Sequence, residues 1–241
     1  MPDTFVPQRA MVIVAHPDDA EYTMAGTVAV WVQQGCAISY VICTRGDRGT
    51  NDPNLTPWDL ARIREQEQRA AAAILGVQEV ILLGHPDGTL EPTLELRRDL
   101  TREIRRFRPD VVLCGDPTTR YYGDRYLNHP DHRAAASAAL DAVFPSAETR
   151  YVFPELLAEG LEPHRVHAVY IHGSPEPNVW IDISPAIELK ARALAAHRSQ
   201  VGGEGAEEWV RQRAREVGSA HGIEFAEAYR RIIINGQRAR R

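Results

Sequence analysis

The first half of the chain alternates between short, almost continuous apolar runs and longer segments whose apolar residues recur every three or four positions. Apolar runs without alternating polar residues are typical of strands that are buried on both faces of a parallel sheet. The sequence predicts strands at residues 11–15, 38–43, 79–83, 111–114, 168–172 and 179–183. The loop at residues 173–178, rich in Gly, Pro and Asn, predicts that the last two strands form a hairpin.

Helices are predicted in the segments between and after these strands. Thr56 followed by Pro57 is a helix start signal, and Gly76 stands where a glycine often ends a helix. Further helices are predicted at residues 92–107 and 184–198. The alternation of strands and helices favours an α/β fold, a twisted and mostly parallel sheet with helices on both faces.

The C-terminal segment is predicted to be a helical tail outside the core. Residues 201–234 carry apolar residues at roughly helical spacing, namely Trp209, Phe225, Tyr229 and Ile232. Gly202-Gly203 predicts a flexible joint before this tail, and the basic end at residues 235–241 is predicted to be disordered. We therefore expect one domain over residues 1–241, with its core at about residues 10–200.

Composition and charge disfavour several classes of function. The 241 residues carry a formal net charge of −5, which makes nucleic acid a poor partner. No apolar run approaches the ~20 residues of a membrane-spanning helix, and residues 1–10 lack the pattern of a secretory signal. The three cysteines have no CxxC spacing, so a disulfide framework is not expected. A cytoplasmic protein is the resulting expectation.

The tripeptide His-Pro-Asp occurs three times, beginning at His16, His85 and His129. The first copy follows the first predicted strand directly, the second follows the third strand by two residues, and the third lies in the long loop after the fourth strand. Ligands bind beyond the carboxyl ends of the strands in sheets of this kind. The three copies are therefore expected at one edge of the sheet, where imidazole and carboxylate groups suit a divalent metal.

Two of the copies supply candidate metal ligands. His16 and Asp19 are three residues apart in a short loop after a strand, and His132 comes from the start of the helix after the fourth strand. Two imidazoles and one carboxylate leave coordination positions open for water, as in a catalytic zinc site. We expect Zn²⁺, and the same ligands also suit Fe²⁺ or Co²⁺.

Residues beside these ligands are candidates for catalysis. Asp18 is adjacent to Asp19 but points in another direction, so it is free to act as the general base that activates water. His129 can protonate a leaving amine or stabilise an oxyanion, with Asp131 holding its ring in position. The alternative for the first copy is a capped turn before a helix, because Asp is a good N-cap residue.

The segment from Val12 to Glu21, which reads VIVAHPDDAE, resembles the opening motif of the LmbE-like (PIG-L) zinc-dependent N-deacetylases. The resemblance extends over roughly residues 10–200, through residues 44–49, 64–67, 75–77 and 129–132, then Lys190 and residues 197–200. It implies a Rossmann-like fold with zinc held by His16, Asp19 and His132. It also implies Asp18 as the base and His129 as the acid or oxyanion stabiliser.

The resemblance also implies a class of substrate. The family removes acetyl groups from N-acetylglucosamine units in phosphatidylinositol glycans, thiol-precursor glycosides or chitin-type sugars, and many members form homo-oligomers. We therefore expect a homo-oligomeric, metal-dependent amidohydrolase that removes an N-acyl group, expected to be acetyl, from a small-molecule N-acylated glycoside. The alternative is an amidase that acts on a non-sugar or thiol-conjugate amide.

Two further residues are expected to bind substrate. Arg64 matches a family arginine that contacts substrate, and its alternative is an ion pair with Glu67 on the helix surface. Asp87 fits a loop position near the sugar, or else is a turn carboxylate. Some members have a tyrosine two residues before the first His of the second motif; this chain has Leu127 there, with Tyr126 beside it. His197 is expected to be structural or to line the cleft.

Other classes of function fit the sequence less well. A Rossmann oxidoreductase would need a G-x-G-x-x-G motif after the first strand, and the loop there carries carboxylates instead. A non-catalytic metal-binding module would require neither Asp18 nor His129. The enzyme is therefore the favoured interpretation.

Overall fold

The computed structural model describes residues 3–201 and 205–234. Its strands are β1 (Arg9–Val14), β2 (Ala37–Thr44), β3 (Glu79–His85), β4 (Val111–Gly115), β5 (Tyr121–Tyr122), β6 (Tyr126–Leu127), β7 (Ala168–His172), β8 (Val179–Asp182) and β9 (Ala226–Ile233). Its helices are α1 (Asp19–Thr23), α2 (Ala25–Gln33), α3 (Pro57–Leu75), α4 (Leu94–Phe107), α5 (Pro130–Asp141), α6 (Glu155–Ala158), α7 (Ile187–Ala195) and α8 (Ala206–Ser219). A π-helical turn at Ala142–Ala147 follows α5, and a 3-10 turn at Ser184–Ala186 leads into α7. The predicted joint at Gly202-Gly203 and the predicted disordered end at residues 235–241 lie outside the described residues.

The main sheet has the strand order β3-β2-β1-β4-β7-β9-β8. Neighbours from β3 to β7 are parallel, whereas β9 runs antiparallel to both β7 and β8. The short strands β5 and β6 form a separate antiparallel hairpin. The predicted Rossmann-like, mostly parallel sheet is confirmed.

Each face of the sheet buries its own layer of helices because side chains alternate along the strands. Val12 and Val14 of β1 point into a core that includes residues of α2, α3 and α7. Met11 and Ile13 point to the opposite face, where they pack with residues of α4 and α5. The predicted helices on both faces are confirmed. Among residues 3–201 and 205–234, no helix has the length and apolar character required to cross a membrane.

The local helix signals act as the sequence predicts. Thr56 caps α3 by accepting a hydrogen bond from the backbone N–H of Asp59 at 3.2 Å, and Gly76 ends the helix with a φ of 79°. The helix predicted at residues 184–198 is shorter than expected, because it starts as a 3-10 turn and its α-helical part ends at Ala195.

The prediction of a helical tail over residues 201–234 is wrong in its second half. Helix α8 is present, but β9 is a strand that pairs with two other strands, with Ile233 opposite Ala168 and Tyr229 opposite Val179. Pairing on both sides satisfies the backbone N–H and C=O groups of β9 and of its neighbours. This tertiary gain outweighs the helical spacing of the apolar residues, which is only a weak preference.

The insertion of β9 also corrects the predicted hairpin. β7 and β8 are not paired with each other, since β9 lies between them. His172 at the end of β7 and Val179 at the start of β8 both pair with Tyr229 of β9. The loop at residues 173–178 therefore carries the chain across β9.

Candidate active site

The three histidines of the first and third His-Pro-Asp copies converge beyond the carboxyl ends of the parallel strands. His16 follows β1, His129 is the N-cap residue of α5, and His132 lies in the first turn of α5. The ring centroids lie 4.9 Å apart for His16 and His129, 5.2 Å for His16 and His132, and 5.3 Å for His129 and His132. Three imidazoles from the loop after β1 and the start of α5 therefore share one site.

Asp19 lies between two of these rings. Its carboxylate oxygens are 3.6 Å from Nδ1 of His16 and 3.0 Å from Nε2 of His132. The same carboxylate accepts the backbone N–H of His16 at 2.9 Å. Burial raises the pKa of Asp19, but the two histidines outweigh it and hold that pKa well below its usual range. The structure thus brings together the three predicted metal ligands, with the Asp19 carboxylate between the rings of His16 and His132.

Two further carboxylates face the other nitrogen of His16. Nε2 of His16 is 3.0 Å from Oδ1 of Asp87 and 3.3 Å from Oδ2 of Asp131, and all three side chains are buried. Burial lowers the pKa of His16, but hydrogen bonds to Asp131, Asp19 and Asp87 raise it to about 12. The site therefore favours a positive charge at this point.

Two groups of side chains have the spacing of metal ligands. The first group is His16, His129 and His132, and the second is His16, Asp87 and Asp131. Within each group the candidate ligand atoms lie within 4.8 Å of one another. Both groups offer imidazole nitrogen or carboxylate oxygen, the donors that borderline divalent metals take. A cluster able to bind a divalent metal is therefore present, and His16 belongs to each version of it.

Asp18 has an environment that differs from that of its neighbour. It is buried, adopts a left-handed backbone with a φ of 99°, and its carboxylate is 3.2 Å from the guanidinium of Arg64. Burial and the negative charge of Asp19 raise the pKa of Asp18 to about 7, against the opposing charges of Arg64, His197 and His16. A carboxylate with a pKa near neutrality suits a general base.

His129 is the more exposed catalytic candidate, with 40% of its side chain accessible. Its Nδ1 accepts the backbone N–H of Asp131 at 3.2 Å, so a neutral ring carries its proton on Nε2. Burial, together with the charges of His16 and His132, lowers the pKa of His129. The Asp131 carboxylate is 3.8 Å from Nδ1, beyond hydrogen-bond distance.

The Asp131 carboxylate instead supports the loop after β3. It accepts the backbone N–H groups of Gly88 at 2.7 Å and Leu90 at 3.2 Å, and it faces His16. The second His-Pro-Asp copy therefore meets the third through Asp131. The first residue of the second copy, His85, is the last residue of β3, whereas the sequence predicts it two residues beyond the strand. Nε2 of His85 lies 3.4 Å from Oδ2 of Asp99.

Arg64 is buried in the site rather than on the helix surface. It donates to the backbone carbonyls of Gly46 and Pro17 in addition to its pair with Asp18. Glu67 bonds Ser199 instead, so the alternative of a surface pair between Arg64 and Glu67 is wrong. Contact between Arg64 and substrate stays a prediction.

Asp87 and Tyr126 lie at the edge of the site in different ways. The Asp87 carboxylate accepts the backbone N–H of Arg48 at 3.1 Å while it contacts His16, so it is a turn carboxylate that also faces the cluster. Tyr126 lies in the β5–β6 hairpin, where Tyr121, Tyr126 and Leu127 are all exposed. A substrate contact of Asp87 stays a prediction.

Several residues support the site in ways that their sequence context does not indicate. Asn128 accepts from Nδ1 of His132 at 3.2 Å, which fixes the ring so that Nε2 faces Asp19. Gln68 and Glu21 are fully buried beneath Asp18, and His197 is fully buried against Glu21. The spacing of Arg64 and Gln68, four residues apart on one helix, is the only local signal that could have indicated Gln68.

Comparison with known proteins gives this constellation a family. Residues 11–143, which contain all the predicted site residues, match the family described as PIG-L, GlcNAc-PI de-N-acetylase. The chain belongs to this family. The predicted enzyme class, an amidohydrolase that acts as an N-deacetylase, is confirmed along with it.

Individual members of the family are similar over most of their length. A diacetylchitobiose deacetylase of Thermococcus kodakarensis is 34% identical over 226 residues, which cover 92% of this chain and 82% of the relative. The structure of the N,N'-diacetylchitobiose deacetylase from Pyrococcus horikoshii in complex with its inhibitor MPG superposes with a TM-score of 0.87 at 31% identity, covering 94% of this chain and 84% of that one. A mycothiol S-conjugate amidase of Streptomyces coelicolor is 29% identical and covers 78% of this chain and 75% of the relative.

Proposed function

We propose that this protein is a zinc-dependent N-deacetylase that removes the acetyl group from a small molecule containing N-acetylglucosamine. The observation that carries the proposal is the arrangement of two adjacent carboxylates, Asp18 and Asp19, of which only Asp19 faces the histidine cluster. A metal ligand and a general base are thereby provided by consecutive residues.

The donor groups around Asp19 fit zinc. We assign His16, Asp19 and His132 as the ligands, because Nε2 of His16 is already engaged by Asp87 and Asp131 and Nδ1 is the nitrogen that faces Asp19. Carboxylates that bond the outer nitrogen of a ligating histidine orient its ring and make it a better ligand. Zinc bound there would supply water of lowered pKa and would polarise the amide carbonyl.

Asp18 is proposed to carry the proton of the reaction. As a carboxylate it takes a proton from the attacking water, and with a pKa near neutrality it can then give that proton to the amine nitrogen as the C–N bond breaks. Arg64 holds one Asp18 oxygen and leaves the other for water. The products are acetate and a free amine.

His129 is proposed to stabilise the oxyanion. Its lowered pKa favours the neutral ring, and the bond from Asp131 N–H to Nδ1 places the ring proton on Nε2. A neutral N–H donor can bond the developing oxyanion, while a group with a lowered pKa is a poor reservoir of protons for the amine. Of the two roles that the sequence leaves open, oxyanion stabilisation is therefore the one we propose.

The substrate is proposed from the relatives. Both diacetylchitobiose deacetylases cover more than nine-tenths of this chain, which favours an N-acetylated amino sugar. The mycothiol S-conjugate amidase is less similar but keeps the thiol-conjugate amide as the second candidate. The cytoplasmic location and the homo-oligomer expected from the sequence complete the proposal.

A panel of amides tests the substrate class. The purified protein with zinc would be incubated with N,N'-diacetylchitobiose, N-acetylglucosamine, a glucosaminyl-inositol acetamide, a thiol-conjugate amide and a simple alkyl acetamide, and products would be read by mass spectrometry. We expect acetyl loss from the amino sugars and little from the alkyl acetamide. Turnover of the thiol conjugate alone would favour the second candidate, and no cleavage of any amide would refute the proposal.

A further inference from the structure

Asp18 has a backbone conformation that the chain must stabilise from outside. Its backbone φ of 99° lies in a region that residues other than glycine rarely adopt. Its carbonyl accepts the N–H groups of Glu21 and Tyr22 at the start of α1, but its side chain makes no capping bond to the helix. The carboxylate is thus free for the site, while the strained backbone needs another partner.

Gln68 of α3 provides that partner. Its Oε1 accepts the backbone N–H of Asp18 at 3.0 Å, and its Nε2 donates to Oε1 of Glu21 at 3.0 Å. The side chain is fully buried, so water cannot replace either bond. A terminal amide offers an acceptor and a donor at once, which a carboxylate, an ammonium or an apolar group does not.

Glu21 and His197 fix the orientation of this amide. The second oxygen of Glu21 lies 3.2 Å from Nε2 of His197, and both side chains are fully buried. Because the Glu21 carboxylate only accepts hydrogen bonds, it requires the NH₂ end of Gln68 and thereby turns the amide oxygen towards Asp18. Three buried side chains from three segments of the chain thus form a series in which His197 faces Glu21, Glu21 accepts from Gln68, and Gln68 accepts the backbone N–H of Asp18.

We propose that Gln68 is a positioning residue that sets the backbone of Asp18, with Glu21 and His197 setting the direction of its amide. The role rests on the proposed function in one respect, the identification of Asp18 as the base. Arg64, one turn earlier on α3, bonds the Asp18 carboxylate, so the same helix holds this residue at both its main chain and its side chain. The Gln68 side chain bonds neither the metal ligands nor His129.

Reversal of the amide tests the proposal. Gln68→Met removes both hydrogen bonds at similar length, and Gln68→Glu places a carboxylate against that of Glu21. The double variant Glu21→Gln/Gln68→Glu restores the contacts with reversed polarity. In it, the amide introduced at position 21 can donate to the carboxylate introduced at position 68, and that carboxylate can still accept the backbone N–H of Asp18. Gln66→Met is the matched control, because Gln66 lies two residues away on the exposed face of α3.

We expect kcat of the Gln68→Met and Gln68→Glu variants to fall about 10- to 100-fold, the effect of a misplaced catalytic group. KM and the zinc content should change little. The double variant should recover most of the loss of kcat, and Gln66→Met should behave as the wild type. Wild-type kcat in Gln68→Met, or no recovery in a folded double variant, would overturn the proposal.

Hydrogen exchange of the Asp18 amide, followed by NMR, gives a readout that does not depend on turnover. The amide should be protected in the wild type and should exchange faster in Gln68→Met, with the amides of α1 and α3 unchanged. Equal protection in both proteins would contradict the positioning role. If the wild type cleaves no amide, the proposed function fails, but this comparison still decides whether Gln68 holds Asp18.

Discussion

Asp18 and Asp19 are adjacent in sequence, but their surroundings shift the pKa values of their carboxyl groups in opposite directions. Asp19 faces two histidines that hold its pKa low, whereas Asp18 is buried beside that negative charge and has a pKa of about 7. Pairs of carboxylates whose environments separate their pKa values have separate roles in hydrolases. Asp18 adopts a left-handed backbone, and its carboxylate contacts Arg64, whereas the Asp19 carboxylate contacts His16 and His132.

Replacement of Asp18 should remove turnover without removing the metal. Asp18→Asn keeps the size of the side chain but cannot accept a proton, so kcat should fall by about 10²- to 10⁴-fold. Zinc content, measured by elemental analysis, should match the wild type. Asp141→Asn, an exposed position on α5, is the control and should keep full activity. An active Asp18→Asn protein would refute the role of this residue as the base.

Replacement of the cluster residues should distinguish ligands from supporting groups. His132→Ala and Asp19→Asn remove proposed ligands and should abolish stoichiometric zinc binding. Asp87→Asn and Asp131→Asn retain an oxygen that can bond Nε2 of His16, so zinc affinity should fall only about 10- to 100-fold. Titration with zinc and a competing chelator measures these affinities. If Asp87→Asn and Asp131→Asn instead abolished zinc binding while Asp19→Asn and His132→Ala only weakened it, the metal site would be the group formed by His16, Asp87 and Asp131.

The sequence predicts the site residues that belong to a recognisable motif, but it does not predict those that act by holding another residue in place. Asp19 and His132 stand in His-Pro-Asp contexts, where the spacing to a strand end indicates a metal site. Gln68 and Asn128 have no such context, since a buried amide is recognised only by what lies against it. The use of Asp131 to hold the loop after β3 was likewise not predictable, because it depends on how two loops meet.

Strand β9 joins the C-terminal segment to the sheet through a buried ion pair. Glu227 accepts from Nζ of Lys190 at 2.6 Å and from the backbone N–H groups of Gly26 and Thr27 at the start of α2. Lys190 also donates to the carbonyl of Tyr22, which follows the loop of the site. The Glu227 carboxylate thereby bonds β9 to α2 and α7, and the Lys190 ammonium extends the connection to α1.

Loss of this carboxylate should destabilise the fold. Glu227→Gln leaves the buried Lys190 ammonium without a counter-charge, and the free energy of unfolding should drop by about 3–5 kcal/mol. The double variant Glu227→Gln/Lys190→Met removes both charges and should recover part of that loss. Urea denaturation measures each value. A change of less than about 0.5 kcal/mol in the single variant, the size of an ordinary surface effect, would contradict the account.

The same pair predicts a pH dependence of stability. Burial raises the pKa of Glu227, but Lys190 outweighs burial and leaves it below its ordinary value of 4.5. The unfolded state therefore binds the proton more readily, so the contribution of Glu227 is present above pH 4.5 and is lost as the pH falls through the folded-state pKa. The stability difference between wild type and Glu227→Gln should shrink on acidification. A difference that grows below that pH would have the wrong sign.

Strand β9 has a sequence pattern that does not match its conformation. The residues of β9, AEAYRRII, combine good helix formers with apolar residues at helical spacing, and they predict a helix when taken alone. Their strand conformation depends on pairing with β7 and β8, which lie more than 40 residues earlier in the sequence. The parallel strands β1, β2, β4 and β7 were predictable, because burial on both faces makes each of these runs almost entirely apolar.

At the scale of the whole molecule, the parallel part of the sheet builds the site and the antiparallel part supports it. The family match covers residues 11–143, which hold the predicted ligands and catalytic residues. The later segments contribute His197, Lys190 and Glu227, all buried beneath the site loop. The site is therefore assembled from nearly the full length of the described chain.

Acetate release from N,N'-diacetylchitobiose decides whether this protein is a metal-dependent deacetylase of amino sugars. The protein would be stripped with a chelator, dialysed, and assayed before and after addition of one equivalent of zinc. We predict no acetate from the stripped protein, and restored release of acetate with an equal amount of free amine on zinc addition. Acetate release that continues unchanged in the stripped protein, or that zinc does not restore in a correctly folded one, would refute zinc-dependent deacetylation.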